Sequence, residues 1–244
     1  MSNVYLVTGA TSDVGLALLR RIFRPGDTLI AQGGKNLSLL ADLCRENPGR
    51  VHTYSVDLSD DTATRLFITD VLAGCPLPTH IIHLPALRVV NTRFKSFDEA
   101  RFEEDFSVQV RSAILICRAF LPKMAKAGRG RVLFMQSSYA LGAPPKNVSA
   151  YVVAKSALGG LAKSLAVDYA ASGITVNMVA PCMMETRFLA DTPDLIVQAA
   201  AASNPMGRNA RVEDVVPAME FLLSEEAGFI TGVTLPITGG SVIL

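Results

Sequence analysis

The sequence is poor in metal-ligating side chains, and the ones it has are scattered. It contains four cysteines and three histidines, which are Cys44, Cys75, Cys117, Cys182, His52, His80 and His83. No two cysteines form a CxxC pair, and the histidines show no ligand spacing with them. We therefore expect neither a bound metal nor a disulfide framework.

An excess of charge and a long apolar run are also missing. The chain has 23 Lys plus Arg against 22 Asp plus Glu, which gives a net charge of +1, and neither sign forms a long run. Nucleic acid is therefore not predicted as a partner. No apolar stretch approaches the ~20 residues that a membrane-spanning helix needs, and the chain does not start with a basic segment. We expect a cytoplasmic protein without membrane contact.

What the chain does contain is enough apolar sequence for a large core, with 244 residues of which 50% are hydrophobic. Short β-branched runs alternate with longer stretches of helical apolar spacing. The predicted strands are Val4–Val7, Thr28–Ala31, Val51–Val56, His80–His83, Arg131–Gln136, Ile174–Val179 and Val233–Ile237. Because such alternation is typical of βαβ crossovers and no linker divides the chain, it predicts one α/β domain over residues 1–244: a Rossmann-type, doubly wound parallel sheet with helices on both faces.

The first predicted strand runs directly into a glycine-containing turn and a helix. The turn carries Gly9, Ser12, Asp13, Val14 and Gly15. A nucleotide pyrophosphate can bind there, because the first amides of a helix are unpaired and its N-terminus is positive. A simple tight turn fits equally well. The carboxylate of Asp13 could cap the helix, but beside a phosphate it would repel, so its side chain should point away.

The end of the second strand bears on the choice between the two nicotinamide dinucleotides. The stretch Gln32-Gly33-Gly34-Lys35-Asn36 contains no acid that could hold a ribose 2′-hydroxyl, and Lys35 suits a 2′-phosphate. This favours NADP(H) over NAD(H), unless Lys35 is only a solvated residue at a helix start. After the third strand, Asp57-Leu58 could hold the adenine edge, or Asp57 could cap the next helix.

Tyr151 and Lys155 are four residues apart on a predicted helix, so they project from one face. A neighbouring ammonium can stabilise a phenolate and lower its pKa toward neutrality, which would make the phenol an acid/base catalyst. A surface contact is the alternative.

Ser138 follows the fifth strand and could hold a carbonyl oxygen, although its neighbour Ser137 is an equal candidate by spacing.

These residues, in this order, resemble the short-chain dehydrogenase/reductase family, and the match extends along essentially the whole chain. It also includes the strand Val176-Asn177-x-Val179-x-Pro181, with Thr186 beyond it, and the Gly239-Gly240 tail. The resemblance implies that Tyr151 is the acid/base, that Lys155 lowers its pKa and binds the nicotinamide ribose, and that Ser138 positions the substrate oxygen. It also implies that Thr186 and the Pro181 turn contact the carboxamide.

The sequence departs from the family pattern at four places. Asp13 replaces the middle glycine of the phosphate turn, and His83-Leu84-Pro85-Ala86 replaces Asn-Asn-Ala-Gly after strand four, which leaves Pro85 and Ala86 beside the cofactor. Gln109 aligns with the helix asparagine that anchors a proton-relay water, and it keeps an amide. Cys182 replaces a glycine after Pro181, and we interpret it as a small turn residue rather than a reactive thiol.

The expected reaction is hydride transfer between a nicotinamide and a ketone or secondary alcohol (EC 1.1.1.-). Similarity to the 3-oxoacyl-carrier-protein reductases and an apolar stretch after Thr186 favour a lipophilic carbonyl substrate, with the stretch acting as a lid or packing as an ordinary helix. An inactive NADP(H)-binding regulator is the main alternative. An enoyl reductase is disfavoured, since Ala157 and Leu158 stand where its wider spacing would put lysine. A sugar-nucleotide epimerase would need a longer C-terminal lobe.

Small residues on the helix Tyr151–Ala171 would allow close approach of a second helix. They are Ala154, Ala157, Gly159, Gly160 and Ala162. With the family resemblance, this predicts a homo-oligomer, either a dimer or a homotetramer, while internal packing against the sheet is the alternative.

Overall fold

The computed structural model describes residues 2–34 and 36–243, and their strands form one sheet. The strands are β1 (Val4–Thr8), β2 (Thr28–Gly33), β3 (Val51–Ser55), β4 (His80–His83), β5 (Gly130–Met135), β6 (Ile174–Pro181) and β7 (Thr234–Ile237). They pair in the order β3-β2-β1-β4-β5-β6-β7, and every pairing is parallel. All seven predicted strands are therefore confirmed, and no strand end differs from its prediction by more than two residues.

Helices connect these strands and cover both faces of the sheet. They are α1 (Asp13–Ile22), α2 (Ala41–Glu46), α3 (Asp61–Gly74), α4 (Glu99–Phe106), α5 (Ser112–Lys126), α6 (Ser149–Tyr169), α7 (Asp194–Ser203) and α8 (Val212–Leu223). Two apolar clusters pack on opposite faces of the sheet, and β4, β5 and β6 are buried along their whole length. Burial on both faces explains their nearly continuous apolar sequence and confirms the doubly wound α/β fold.

The chain winds outward from the middle of the sheet in both directions. After β1 it moves to β2 and β3, and then it returns to the other side of β1 for β4 and the remaining strands. The direction reverses between β1 and β4, and in open sheets of this kind ligands bind beyond the carboxyl ends of the strands at that reversal. The turns after β1 and β4 therefore lie where a site is expected.

One predicted helix differs from the structure. The apolar spacing predicts a single helix over Phe102–Lys126, whereas α4 and α5 are joined by a π-helical turn over Ser107–Arg111. An extra residue per turn bulges the backbone at the middle of this segment, which is Gln109. Such turns occur often at functional sites.

Candidate active site at the carboxyl ends of the strands

The turn after β1 is built on two glycines that cannot carry a side chain. Gly9 has φ +69°, and a Cβ there would lie 3.3 Å from Leu84 and from the nitrogen of Pro85. A Cβ on Gly15 would lie 2.7 Å from two carbonyl oxygens of the turn. The turn therefore packs directly against helix α1 and the segment after β4, and its backbone is open to a close-lying ligand.

Helix α1 is capped at its N-terminus by a serine that precedes it. Ser12 is the N-cap, and its hydroxyl accepts a hydrogen bond from the Gly15 amide at 3.0 Å. Asp13 is therefore not the cap that one sequence interpretation proposed. Its carboxylate points to Arg187 instead, accepting from the Arg187 backbone amide at 2.7 Å and from Nε at 2.6 Å. The carboxylate is thus paired with Arg187, whose Nη2 also donates to the Thr11 carbonyl of the same turn. Its orientation away from a bound phosphate stays a prediction.

At the end of β2, the predicted determinant Lys35 lies outside the described residues. Near the end of β2, the Gln32 side chain makes two hydrogen bonds. Its Oε1 accepts from the Gly9 amide at 2.9 Å, and its Nε2 donates to the Val56 carbonyl at 2.7 Å. Gln32 thereby links the phosphate turn to the end of β3. The preference for NADP(H) stays a prediction.

The structure excludes one of the two roles considered for Asp57, which is capping of α3. The N-cap of α3 is Asp60, whose carboxylate accepts the amides of Thr62 and Ala63. Asp57 therefore does not cap α3; its carboxylate accepts from the Ser59 amide at 2.9 Å and hydroxyl at 2.7 Å. Leu58 is buried. A contact of Asp57 with an adenine stays a prediction.

Tyr151 and Lys155 meet as their spacing on α6 predicts. The Lys155 ammonium lies 5.7 Å from the centroid of the Tyr151 ring, and it donates to the carbonyl of Met135, at the end of β5, at 2.7 Å. Lys155 is 1% exposed, so its charge is shielded from water. The Tyr151 phenol is hydrogen bonded to the side chain of Ser137. Ser138 is buried beside it, at the start of a 3-10 turn.

Burial perturbs both groups of this pair. It lowers the pKa of Lys155 to about 8, and the charge of Asp105 opposes that shift. Burial also raises the pKa of Tyr151 above its ordinary value, and the hydrogen bond from Ser137 only partly opposes it. In the protein without bound nucleotide, burial is therefore the largest influence on the pKa of Tyr151. A lowering of that pKa by Lys155 stays a prediction.

A buried polar network supports the π turn beside this pair. The Gln109 amide nitrogen donates to Asp105 at 2.8 Å, which fixes the orientation of the amide. Its Oε1 is buried and has no hydrogen-bond partner among the described residues. The backbone carbonyl of Gln109 lies 3.0 Å from Nε2 of His83, and Nδ1 of His83 lies 2.7 Å from the Thr8 hydroxyl.

The tautomer of His83 follows from these contacts. A carbonyl can only accept, so Nε2 carries the proton and Nδ1 accepts from Thr8. Burial lowers the pKa of His83 to about 3, and the imidazole is therefore neutral. His83, which departs from the family pattern, thus ties β4 and β1 to the π turn.

The segment after β6 borders the same region. Pro181 ends the strand and is buried, and Thr186 precedes a short 3-10 turn over Arg187–Leu189. Burial raises the pKa of the Cys182 thiol, which agrees with an unreactive turn residue. Helix α7 has no buried residue, and Leu195 is 77% exposed. Ordinary internal packing therefore does not explain this helix.

A separate cavity of about 540 Å³ lies beyond the ends of β6 and β7, lined among others by Cys182, Asn204, Met206 and Arg208. Tyr151 and Lys155 do not line it. In the described part of the chain no three His, Cys, Asp or Glu side chains come together as metal ligands, and no helix is long and apolar enough to cross a membrane.

Three features of the site were missed by sequence reasoning. They are the hydrogen bond of Ser137 to the phenol, the buried carboxylate of Asp105, and the ion pair between Asp13 and Arg187. The position of Asp105 four residues before Gln109, in the middle of a helical apolar pattern, is the one sequence signal that could have indicated a partner. The other two depend on contacts between distant segments.

The residues present fit a nicotinamide dinucleotide. Gly9 and Gly15 leave the backbone bare, and in the described part of the chain no hydrogen-bond acceptor contacts the amides of Asp13 and Val14. Those amides can bind a pyrophosphate. The fold and this arrangement define a Rossmann-type oxidoreductase class, in which a nucleotide is held at the β1–β4 reversal next to a tyrosine–lysine pair.

Comparisons with known proteins support this class. A family model described as enoyl-(acyl carrier protein) reductase matches residues 9–241. The chain is 33% identical to 2-(R)-hydroxypropyl-CoM dehydrogenase of Xanthobacter autotrophicus, covering 98% of each chain. It is 26% identical to the 3-oxoacyl-[acyl-carrier-protein] reductase of Pseudomonas aeruginosa, covering 98% of this chain and 96% of the other.

Among solved structures, one from Beutenbergia cavernae is provisionally described as an NAD(P)-dependent gluconate 5-dehydrogenase, with NADP bound at low occupancy. It superposes with a TM-score of 0.89 at 26% identity, covering 98% of this chain and 96% of that one. The chain belongs to the short-chain dehydrogenase/reductase family. It is an oxidoreductase that acts on carbonyl or alcohol groups with a nicotinamide dinucleotide.

Proposed function

We propose that this protein reduces lipophilic ketones, such as 3-oxoacyl thioesters, with NADPH, and that Tyr151 supplies the proton. The observation that carries the proposal is the juxtaposition of the buried Lys155 ammonium, 5.7 Å from the Tyr151 ring centroid, with the Tyr151 phenol, whose oxygen accepts a hydrogen bond from the Ser137 side chain. A proton donor, a cation and a second hydroxyl thus meet at the carboxyl edge of the sheet.

When bound, the reduced nicotinamide supplies the hydride. The chain's own residues do the rest. Ser137 or Ser138 donates a hydrogen bond to the substrate oxygen, and Tyr151 gives it a proton, so that negative charge does not accumulate there. Lys155 holds a positive charge beneath the phenol and stabilises the phenolate that remains. A bound nucleotide and substrate then have to lower the pKa of Tyr151 from its raised value in the free protein.

Reprotonation of Tyr151 requires a route from water. The unpaired Oε1 of Gln109 is a buried acceptor, and an acceptor of this kind is commonly satisfied by an ordered water. We assign Gln109 to hold such a water near Lys155, in the role that the family resemblance predicts for this position.

The cofactor contacts follow the same reasoning. Gly9, Ser12, Val14 and Gly15 form the pyrophosphate turn, and Asp57 and Leu58 border the adenine. Pro85 and Ala86 take the place of the family's glycine-containing segment after β4, and Pro181 and Thr186 face the carboxamide. The choice of NADPH rests on the absence of an acid after β2 together with Lys35.

An apolar substrate is supported by the segment that follows Thr186. Helix α7, within that segment, exposes Leu195 and Ile196. The similarity to a 3-oxoacyl reductase supports the same class. Enoyl reduction is disfavoured because Leu158 is a fully buried core residue at the position where the wider spacing would need a lysine.

The test is to screen carbonyl and alcohol libraries with both NADPH and NADH. We expect turnover with 3-oxoacyl thioesters or similar apolar ketones, and faster turnover with NADPH than with NADH. Tight NADPH binding without turnover on any carbonyl would instead support a regulatory protein. Turnover only with enoyl substrates would contradict the assigned reaction.

A homo-oligomer built through α6 is part of the proposal. Ala154, Gly159 and Ala162 are buried inside the protein, so this part of the small-residue stripe packs internally. Val153, Gly160 and Val167, each seven residues from the next, form an exposed face of the same helix. Light scattering of the purified protein tests the expectation of a dimer or tetramer.

A further inference from the structure

Two residues of opposite charge, 174 positions apart, meet at the start of α1. Asp13 occupies the position of the middle glycine in the phosphate turn, and Arg187 directly follows Thr186. Arg187 donates to the Asp13 carboxylate through its backbone amide at 2.7 Å and through Nε at 2.6 Å. Its Nη2 also donates to the carbonyl of Thr11, within the turn, at 2.9 Å.

We propose that Arg187 is a cofactor-binding residue that neutralises Asp13, so that a dinucleotide pyrophosphate can bind at the N-terminus of α1. The inference rests on the proposed function, since it concerns the same nucleotide. It assigns a role to the one residue of the predicted phosphate turn whose charge opposes the ligand.

The need for neutralisation follows from where Asp13 lies. It is the first residue of α1, next to the amides that would hold a pyrophosphate. A carboxylate near these amides competes for the positive end of the helix and repels an anion. Its side chain is only 28% exposed, so solvent screens the repulsion incompletely. Without a counter-charge the turn would bind a phosphate poorly.

Arg187 can supply that charge and still reach the ligand. A guanidinium has five N–H donors. Asp13 and Thr11 take one each in this structure, since the other Asp13 contact uses the backbone amide. The remaining donors can bind phosphate oxygens, for which the forked geometry of arginine is well suited.

The position of Arg187 also connects two parts of the site. It is the first residue of the 3-10 turn that leads from β6 toward α7. The ion pair therefore fastens the start of the apolar segment to the phosphate turn.

The test measures the dissociation constant of NADPH by calorimetry or fluorescence, for the full chain without substrate. The variants are Arg187→Ala, Asp13→Gly, Asp13→Asn and the double variant Asp13→Gly/Arg187→Ala. The matched control is Arg21→Ala, because Arg21 forms an equally short ion pair with Glu220, 2.6 Å long and exposed, between α1 and α8.

We expect Arg187→Ala to weaken NADPH binding by about tenfold or more, because it leaves the Asp13 charge uncompensated. The deficit should shrink at high ionic strength, since salt screens the repulsion. The double variant should recover to within about threefold of the wild type, because it carries neither charge. Asp13→Asn should bind at least as tightly as the wild type, and Arg21→Ala should bind as the wild type does.

Several results would overturn the inference. If Arg187→Ala binds NADPH as tightly as the wild type, Arg187 pairs with Asp13 without contributing to binding. If it binds more tightly, Arg187 obstructs the nucleotide site. A double variant as weak as Arg187→Ala would show that the loss does not come from Asp13. Wild-type protein that binds neither dinucleotide would contradict the proposed function itself, whereas normal wild-type binding with an unaffected Arg187→Ala contradicts only the role of Arg187.

Discussion

Replacement of Tyr151 by phenylalanine removes one oxygen from the site and leaves the aromatic ring. The ring packs edge-on against Tyr139 at 6.4 Å between centroids, and it lies 5.7 Å from the Lys155 ammonium. Phenylalanine can make both contacts. The fold and the position of Lys155 should therefore be kept in the Tyr151→Phe variant, and so should nucleotide binding.

The size of the effect follows from what the hydroxyl does. As a stabilising group it contributes one hydrogen bond with Ser137, worth about 1 kcal/mol of folding free energy. As a proton donor in the reaction it is worth about 10²- to 10⁴-fold in rate. That factor corresponds to roughly 3 to 5 kcal/mol of activation free energy. Turnover should therefore collapse while the melting temperature moves by only a few degrees.

The assay follows NADPH consumption with a ketone that the wild type reduces, beside a fluorescence titration of NADPH. The matched control is Tyr54→Phe, which removes a phenol whose hydroxyl lies 3.4 Å from Cys75, on the outer strand β3. That variant should keep wild-type turnover. If Tyr151→Phe turns over within about threefold of the wild type, the acid/base assignment is wrong.

Two further predictions concern the turn and the buried histidines. Gly15→Ala should abolish nucleotide binding and lower the melting temperature, because its Cβ would lie 2.7 Å from two carbonyl oxygens. Gly74→Ala, with nothing within 4 Å, should instead stabilise α3 by up to about 1 kcal/mol. Thermal melts and NADPH titrations check both. Burial lowers the pKa of His80 to about 4 and that of His83 to about 3, both below the ordinary 6.5. The unfolded chain therefore takes up these protons first, and stability should fall as the pH drops below 6.5, by about 2 kcal/mol per histidine at pH 5. Urea unfolding at pH 8 and pH 5 measures this loss, which His80→Gln should reduce by about half; an unchanged loss would contradict the linkage.

Much of the architecture could be predicted from the sequence because the signals are local. Period-two and buried β-branched runs located all seven strands. The four-residue spacing of Tyr151 and Lys155 placed both on one face of α6, since helix geometry alone requires it. The glycines at 9 and 15 indicated a turn that no side chain could occupy, and the close carbonyl oxygens account for them.

The features that were not predictable depend on contacts between distant segments. The π turn at Gln109 follows a helical pattern that shows no break, and it becomes visible only where His83 and Asp105 bind it. The adjacent serines at 137 and 138 are indistinguishable by spacing. Only packing selected Ser137 as the partner of the Tyr151 phenol.

The sequence by itself determined the order of the elements, the position of the phosphate turn and the pairing of a phenol with an amine, because each depends on residues a few positions apart. The tertiary structure decided how the charges are balanced. Burial opposes ionisation of Tyr151 and Lys155 alike, and Asp13 meets Arg187 across 174 residues. Desolvation and long-range ion pairing depend on everything that surrounds a group in space, and a pattern read along the chain does not contain that information.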